Sequence, residues 1–251
     1  MTDMLAELAT SPWLLLGAFI LLAYTTEAMT GFGSIVIALS LGALVLPIEA
    51  MLPVLVPLNI VMTGFLAWRL RGHADRDALL RLILPAMTAG TAAGYLLHPW
   101  LGDAALKTLF GLLIVWFAAR ELWRSVRAPL PAARGRVWTQ GWTLAAGVTH
   151  GLFASGGPLL VYALSGARLD KARFRATLIV VWFTLNSLLT AAFLVDGSLW
   201  PALPRVAAYL PLLPVGVILG EVLHRRVDEA GFRRAVFAVL LAAGLALAWP
   251  Y

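Results

Sequence analysis

Two short glycine-rich segments interrupt long apolar runs and hold the groups best suited to bind a ligand. The first reads Thr30-Gly31-Phe32-Gly33-Ser34 and the second reads Ala154-Ser155-Gly156-Gly157-Pro158. A helix that restarts at such a break presents backbone N–H groups without an intrahelical acceptor and the positive end of its dipole. The pattern predicts an anion-binding site made by Thr30, Gly31, Gly33, Ser34, Ser155, Gly156 and Gly157. The alternative is that the glycines only allow helices to pack closely.

An amide and a hydroxyl side chain recur one helical turn apart in each half of the chain. Asn59 with Thr63, and Asn186 with Thr190, each share one face of a helix because residues four apart are neighbours. These four side chains are predicted to line the same central cavity as the breaks and to contact the substrate. An equal alternative is that they form hydrogen bonds between helices, as polar side chains in membrane spans commonly do.

Glu27 and His150 are the ionisable residues nearest to the two breaks. A titratable side chain inside a membrane span indicates a functional role by default. Either residue could exchange a proton that is coupled to transport. Protonation of Glu27 would favour an anion beside it, because the ionised carboxylate repels an anion. The alternative for Glu27 is a neutral carboxyl group that is only hydrogen bonded.

The sequence lacks the residues that other kinds of chemistry require. The chain has no cysteine, and its four histidines show no metal-ligand spacing, so neither a metal nor another cofactor is predicted. No phosphate-cradling glycine loop is present, which argues against ATP-driven transport by this chain alone. His150 and Ser155 could serve an intramembrane enzyme, but their spacing is not a catalytic signature and no third orienting group accompanies them. We therefore predict that the protein is not an enzyme.

The elements that position these residues must be membrane-spanning helices. Hydrophobic residues make up 61% of the 251 positions and charged residues only 13%, whereas a soluble domain has about 25% charged residues. Apolar runs of this length must be helical, since every backbone amide in lipid needs a partner within its own segment. At roughly 20 residues for each crossing, the runs predict an all-α polytopic fold of about eight transmembrane helices. The two glycine-rich breaks predict broken or re-entrant helices.

Basic residues predict which loops face the cytoplasm. Of the 19 lysines and arginines, all but Lys107 and Arg205 fall in four clusters, at 69–81, 120–136, 168–175 and 225–234. Clusters between apolar runs are typical of cytoplasmic loops rather than of a nucleic-acid-binding face. Both chain ends are then predicted to lie outside. Residues 1–13 lack the basic region of a cleavable signal peptide, so the first apolar run is expected to stay in the mature protein.

The second half of the chain repeats the first. Six positions recur with identical spacing. They are Pro85, Gly90, Gly94, His98, Asp103 and Lys107, which match Pro211, Gly216, Gly220, His224, Glu229 and Arg233. The repeated glycines, four residues apart, are also typical of close helix packing. Charge and repeat together predict two inverted-topology repeats, residues 1–123 and 137–251, joined by a cytoplasmic linker at 124–136.

The two breaks, together with Phe174-Arg175-Ala176-Thr177 at the start of a later span, resemble the sulfite exporter TauE/SafE family over nearly the whole chain. This resemblance implies two four-helix halves in the bacterial inner membrane. It also implies transport of a small sulfur-containing or organic anion, such as sulfite or a sulfonate.

Inverted repeats with broken helices are typical of secondary transporters, whose substrate sites lie near the midplane of the membrane. We therefore predict alternating-access transport of a small anion, with lipid and a coupled proton or cation as further partners, no nucleic acid, and an oligomeric state that the sequence does not fix. A passive anion channel of the same fold is the first alternative, and an intramembrane enzyme is the weaker one.

Overall fold

The structure, a computed structural model, describes residues 11–30, 33–70, 72–127, 135–164, 171–224 and 228–249. Across these ranges every regular element is helical. The helices are α1 (Pro12–Thr30), α2 (Ser34–Gly42), α3 (Ile48–Leu70), α4 (Arg76–Ala78), α5 (Leu84–Leu97), α6 (Asp103–Arg127), α7 (Arg136–Phe153), α8 (Gly157–Ala163), α9 (Lys171–Val195), α10 (Leu203–Tyr209), α11 (Leu212–His224) and α12 (Glu229–Ala248). A π-helical turn, Leu79–Ile83, joins α4 to α5.

Several helical segments are long and apolar enough to cross a membrane. Five meet both requirements among the described residues: Ile48–Trp68, Arg76–Trp100, Arg173–Val195, Trp200–Leu223 and Gly231–Ala248. A shorter apolar helix spans Pro12–Ala28. The predicted all-helical, polytopic membrane fold is thereby confirmed. The count of about eight crossings and the inversion of the second repeat stay predictions.

The helices form two compact units. Unit 1 contains Met1–Leu55, Asp103–Ala128 and Ala202–Tyr251, and unit 2 contains Val56–Gly102 and Pro129–Pro201. Each unit draws segments from both predicted repeats. The two predicted repeats, separated by the linker at 124–136, are defined by matching sequence and not by compactness. The grouping into units therefore does not test them, and the repeats stay a prediction.

In unit 1, glycines bring α11 against α1, the helix that leads into the first break. A Cβ added at Gly220 would lie 2.6 Å from the carbonyl oxygen of Thr25, and one added at Gly216 would lie 2.9 Å from the Cβ of Tyr24. Such distances leave no room for a side chain. These glycines therefore fix the helix that carries Glu27 against a neighbour at near-backbone contact.

In unit 2, glycines likewise allow close packing of α5 against α7, the helix that leads into the second break. A Cβ added at Gly90 would lie 2.8 Å from the Cα of Gly147, and one added at Gly94 would lie 3.1 Å from the Cα of Gly151. The packing role predicted for Gly90 and Gly94, and for their matches on α11, is confirmed. In each unit a glycine pair positions a helix that ends at a break.

Candidate functional site

The second break lies where the sequence predicts it, in unit 2. Helix α7 ends at Phe153 and α8 begins at Gly157, with Pro158 in its first turn. Ala154 has a left-handed backbone (φ 50°, ψ 23°), and its N–H donates to the carbonyl oxygen of His150 at 2.7 Å. A non-glycine residue in this region stores strain and is worth explaining at a functional site. The strained turn ends α7 and leaves Ser155 and Gly156 between the helices.

Buried polar atoms without partners surround this break. His150 is 0% exposed and Ser155 is 2% exposed. Neither ring nitrogen of His150 nor the hydroxyl oxygen of Ser155 has a hydrogen-bond partner among the described residues. An unpartnered buried polar group costs about 1–3 kcal/mol. Two such residues next to one break make it the candidate site of this structure.

Contacts show that these groups belong to one cluster. A Cβ added at Gly156 would lie 3.0 Å from the Cβ of His150. The indole of Trp182, on α9, stacks on the His150 ring with centroids 5.7 Å apart and planes 24° apart. The same indole is 3.6 Å from a Cβ added at Gly157. We call His150, Ser155, Gly156, Gly157 and Trp182 the second-break cluster.

The two asparagines meet in unit 2. Nδ2 of Asn186 donates to Oδ1 of Asn59 at 2.7 Å, and both side chains are buried. The structure thus shows the interhelical hydrogen bond that was one of the two sequence readings. The amide oxygen of Asn186 has no partner among the described residues. Asn186 lies one turn beyond Trp182 on α9, so it shares the helix face that carries the stack.

The two threonines differ in what their hydroxyl groups do. The hydroxyl of Thr63 donates to the carbonyl oxygen of Asn59 at 2.7 Å. The hydroxyl of Thr190 is buried and has no partner within the described part of the chain. Thr63 therefore already uses its donor on its own helix, whereas Thr190 keeps a free polar atom one turn from Asn186.

The first break lies in unit 1 and is lined differently. Helix α1 ends at Thr30 and α2 begins at Ser34, preceded by Gly33 with a left-handed backbone (φ 103°). The side chains of Tyr24 and Ser34 are hydrogen bonded, and the Glu27 carboxyl interacts electrostatically with Tyr24. All three side chains are buried. Glu27 thus lies beside the break, as its sequence position indicates.

Two of the predicted positions at the first break fall outside this description. Gly31 lies outside the described residues, and so does the side chain of Thr30. The two breaks belong to different units, so their predicted arrangement across one midplane cavity stays a prediction.

A small cavity borders the first break within unit 1. Its volume is about 20 Å³, enough for about one water molecule. Its lining is apolar apart from Thr26 and the exposed side chain of Arg233. The Thr26 hydroxyl donates to the carbonyl oxygen of Leu22 at 2.8 Å. This space cannot hold an organic anion without rearrangement.

Sequence reasoning missed two aromatic residues, Tyr24 and Trp182. Tyr24 lies three residues before Glu27, and Trp182 lies four residues before Asn186. Each therefore shares a helix face with a residue that was singled out. That spacing was the available signal. Among the described residues, no group of three histidine or acidic side chains is arranged to hold a metal ion.

Comparison with known proteins extends this picture. The family model of the sulfite exporter TauE/SafE matches residues 16–247. The probable inner membrane transporter protein TsaS of Comamonas testosteroni is 33% identical over 172 residues, which cover 66% of this chain and 69% of that protein. No solved structure matches the chain. The family match and the apolar helices together identify the protein as a multi-pass membrane transporter. The chain belongs to the sulfite exporter TauE/SafE family.

Proposed function

We propose that the protein is a secondary transporter that moves a small anion across the bacterial inner membrane by alternating access. The anion is sulfite, a sulfonate or another small sulfur-containing or organic anion. The observation that carries the proposal is the second-break cluster, where His150 and Ser155 are buried with unpartnered polar atoms. The name of the family supports this class of cargo, and the name of the TsaS relative supports transport across an inner membrane.

The cluster suits an oxyanion because two of its side chains without partners among the described residues, His150 and Ser155, can each donate a hydrogen bond. The Ser155 hydroxyl can donate one bond, and a neutral imidazole donates from one of its two nitrogens. Hydrogen bonds to a charged acceptor contribute about 1.5–3 kcal/mol each, more than bonds to a neutral one. An anion that accepts both bonds removes the cost of burying the two donors.

Asn186 and Thr190 extend the proposed site along α9. The free amide oxygen of Asn186 is an acceptor, and the Thr190 hydroxyl both donates and accepts. An acceptor beside donors fits an oxyanion that carries a proton, or a water molecule bound with the anion. Asn59 holds Asn186 in place through the 2.7 Å bond, and the Thr63 hydroxyl donates to the carbonyl oxygen of Asn59.

We assign proton coupling to Glu27 and His150, one in each unit. Both side chains are buried in the apolar part of the chain, and ionisable groups there are costly enough to imply a function. An ionised Glu27 opposes an anion near the first break, and a protonated Glu27 does not. Protonation of Glu27 then increases the affinity for the anion, and the bound anion increases the affinity of Glu27 for a proton.

The proposal also includes the orientation of the chain, with both ends in the periplasm. It rests on the four basic clusters, which the positive-inside rule assigns to the cytoplasm. A reporter that is active only in the periplasm, fused after Tyr251, should be active. A matched reporter that is active only in the cytoplasm should be silent. The opposite pattern would reverse the topology.

Counterflow in proteoliposomes tests the transport proposal. The purified protein is reconstituted, the vesicles are loaded with unlabelled sulfite, thiosulfate, a sulfonate or a small carboxylate, and uptake of the labelled anion is followed. A secondary transporter gives saturable uptake that overshoots equilibrium when the same anion is inside. Uptake without saturation or overshoot indicates the channel alternative. No counterflow and no thermal stabilisation by any anion would refute the anion site.

A further inference from the structure

Among the described residues, no hydrogen bond sets the orientation of the His150 ring. A functional histidine is normally oriented by a bond from its second nitrogen to a carboxylate or a carbonyl group. Here both nitrogens lack a partner among the described residues, although the residue is 0% exposed. Packing must therefore orient the ring.

One aromatic side chain stacks on the ring. Trp182 lies nearly parallel to the imidazole, with ring centroids 5.7 Å apart, inside the 4.5–7 Å range of favourable aromatic pairs. Its Cζ2 atom also lies 3.6 Å from the place that a Cβ on Gly157 would occupy. The half-buried indole of α9 thus stacks on the imidazole and lies beside the start of α8. We infer that Trp182 is a positioning residue that holds the His150 ring toward the anion at the second break.

This inference rests on the proposed function, because it assumes that His150 acts on the transported anion. Trp182 itself needs no contact with the anion. Without the indole, the imidazole can rotate away from the break, so anion binding weakens while the rate of the loaded carrier changes little. The expected size is a twofold to tenfold rise in KM, the range that one aromatic pair typically contributes.

A double-mutant cycle tests the inference through transport. KM and Vmax for counterflow are measured for the unmodified protein, Trp182→Leu, His150→Gln and the double variant. Trp182→Leu should raise KM with Vmax within about twofold, and it should add no further rise in the His150→Gln background. Trp182→Phe keeps a stacking ring and should restore most of the affinity. Phe183→Leu is the matched control on the next position of α9, where the side chain faces Gly64 instead.

The outcomes separate the two claims. An equal rise in KM in both backgrounds would show that Trp182 acts independently of His150 and would overturn the inference. An unchanged KM in His150→Gln would remove the proposed role of His150 and the positioning role with it. A normal KM in Trp182→Leu beside a raised KM in His150→Gln would overturn the inference alone.

A spectroscopic measurement tests the positioning without any substrate. In protein labelled with ¹³C-histidine, the ring signal of His150 is identified by its loss in His150→Gln. The stacked indole should displace that signal by its ring current, and Trp182→Phe, the variant least disturbing to the fold, should shift it measurably. A His150 signal that stays in place in Trp182→Phe and in any folded Trp182→Leu sample would contradict the stacked arrangement.

Discussion

Removing the Ser155 hydroxyl should change stability and anion affinity in opposite directions. The hydroxyl is buried and has no partner in the described structure, so the protein without anion bears about 1–3 kcal/mol for its desolvation. Ser155→Ala removes that cost and keeps the backbone of the break. For a chain of this length, 1 kcal/mol corresponds to about 2–4 °C in Tm. We expect the anion-free variant to melt at least about 2 °C higher than the unmodified protein.

The same substitution should weaken binding of the transported anion. One hydrogen bond to a charged acceptor is lost, which at about 1.5–3 kcal/mol corresponds to an increase in Kd of about tenfold to a hundredfold. The assay is thermal unfolding in detergent over a series of anion concentrations, which gives the Tm without anion and the Kd together. The upward shift of Tm by anion should then require a correspondingly higher anion concentration.

Ser187→Ala is the matched control. The Ser187 hydroxyl already donates to the carbonyl oxygen of Phe183 at 2.7 Å within its own helix, so its removal should leave the Kd unchanged. A lower Tm for anion-free Ser155→Ala would show that the hydroxyl has a partner in the resting protein. An unchanged Kd in Ser155→Ala would refute the placement of the anion at the second break.

Three further predictions follow from the fold and from the first break. Gly147→Ala should lower the free energy of unfolding by about 1–3 kcal/mol, because the added Cβ would lie 2.9 Å from the Cα of Gly90. Gly141→Ala, on the same helix, is the control: its added Cβ meets no atom within 4 Å, so it should be neutral or stabilising. Thermal unfolding measures both effects. Ala154→Gly should stabilise by about 0.5–1 kcal/mol in the same assay, since relief of the left-handed strain exceeds the entropy cost of glycine. Glu27→Gln should flatten the fall of transport with rising pH in proteoliposomes, because it keeps the uncharged form, and an unchanged pH profile would count against coupling through Glu27.

The helix breaks could be predicted from the sequence because their cause is local. Clustered glycines, followed by a proline in the second segment, weaken an apolar helix at that point, so the segments at Gly33 and Gly157 can be recognised in the sequence. The packing glycines were visible for a similar reason, since small residues four apart leave a flat helix face. In both cases the residue type itself dictates the structure.

The pairing of Trp182 with His150 could not be predicted from the sequence because its cause is tertiary. Trp182 is one of ten tryptophans in an apolar chain, and nothing in its neighbours marks it as the partner of His150, 32 positions earlier. The Asn59–Asn186 bond spans 127 positions. Helical spacing indicates which residues share a face, but it does not indicate which face of another helix lies opposite.

The structure also distinguishes the two breaks, which the sequence analysis assigned to the same anion-binding site. At the first break the Ser34 hydroxyl is engaged by Tyr24, a carboxyl group lies nearby, and the adjoining cavity has room for about one water molecule. At the second break the Ser155 hydroxyl and the His150 ring lack hydrogen-bond partners among the described residues, and none of the cluster contacts named above involves a carboxylate. An anion would gain hydrogen bonds at the second break, whereas at the first it would lie beside the Glu27 carboxyl group, which opposes an anion when it is ionised. Substitutions at Ser155 should therefore affect anion affinity more than the same substitutions at Ser34, which should act mainly through Tyr24 and Glu27.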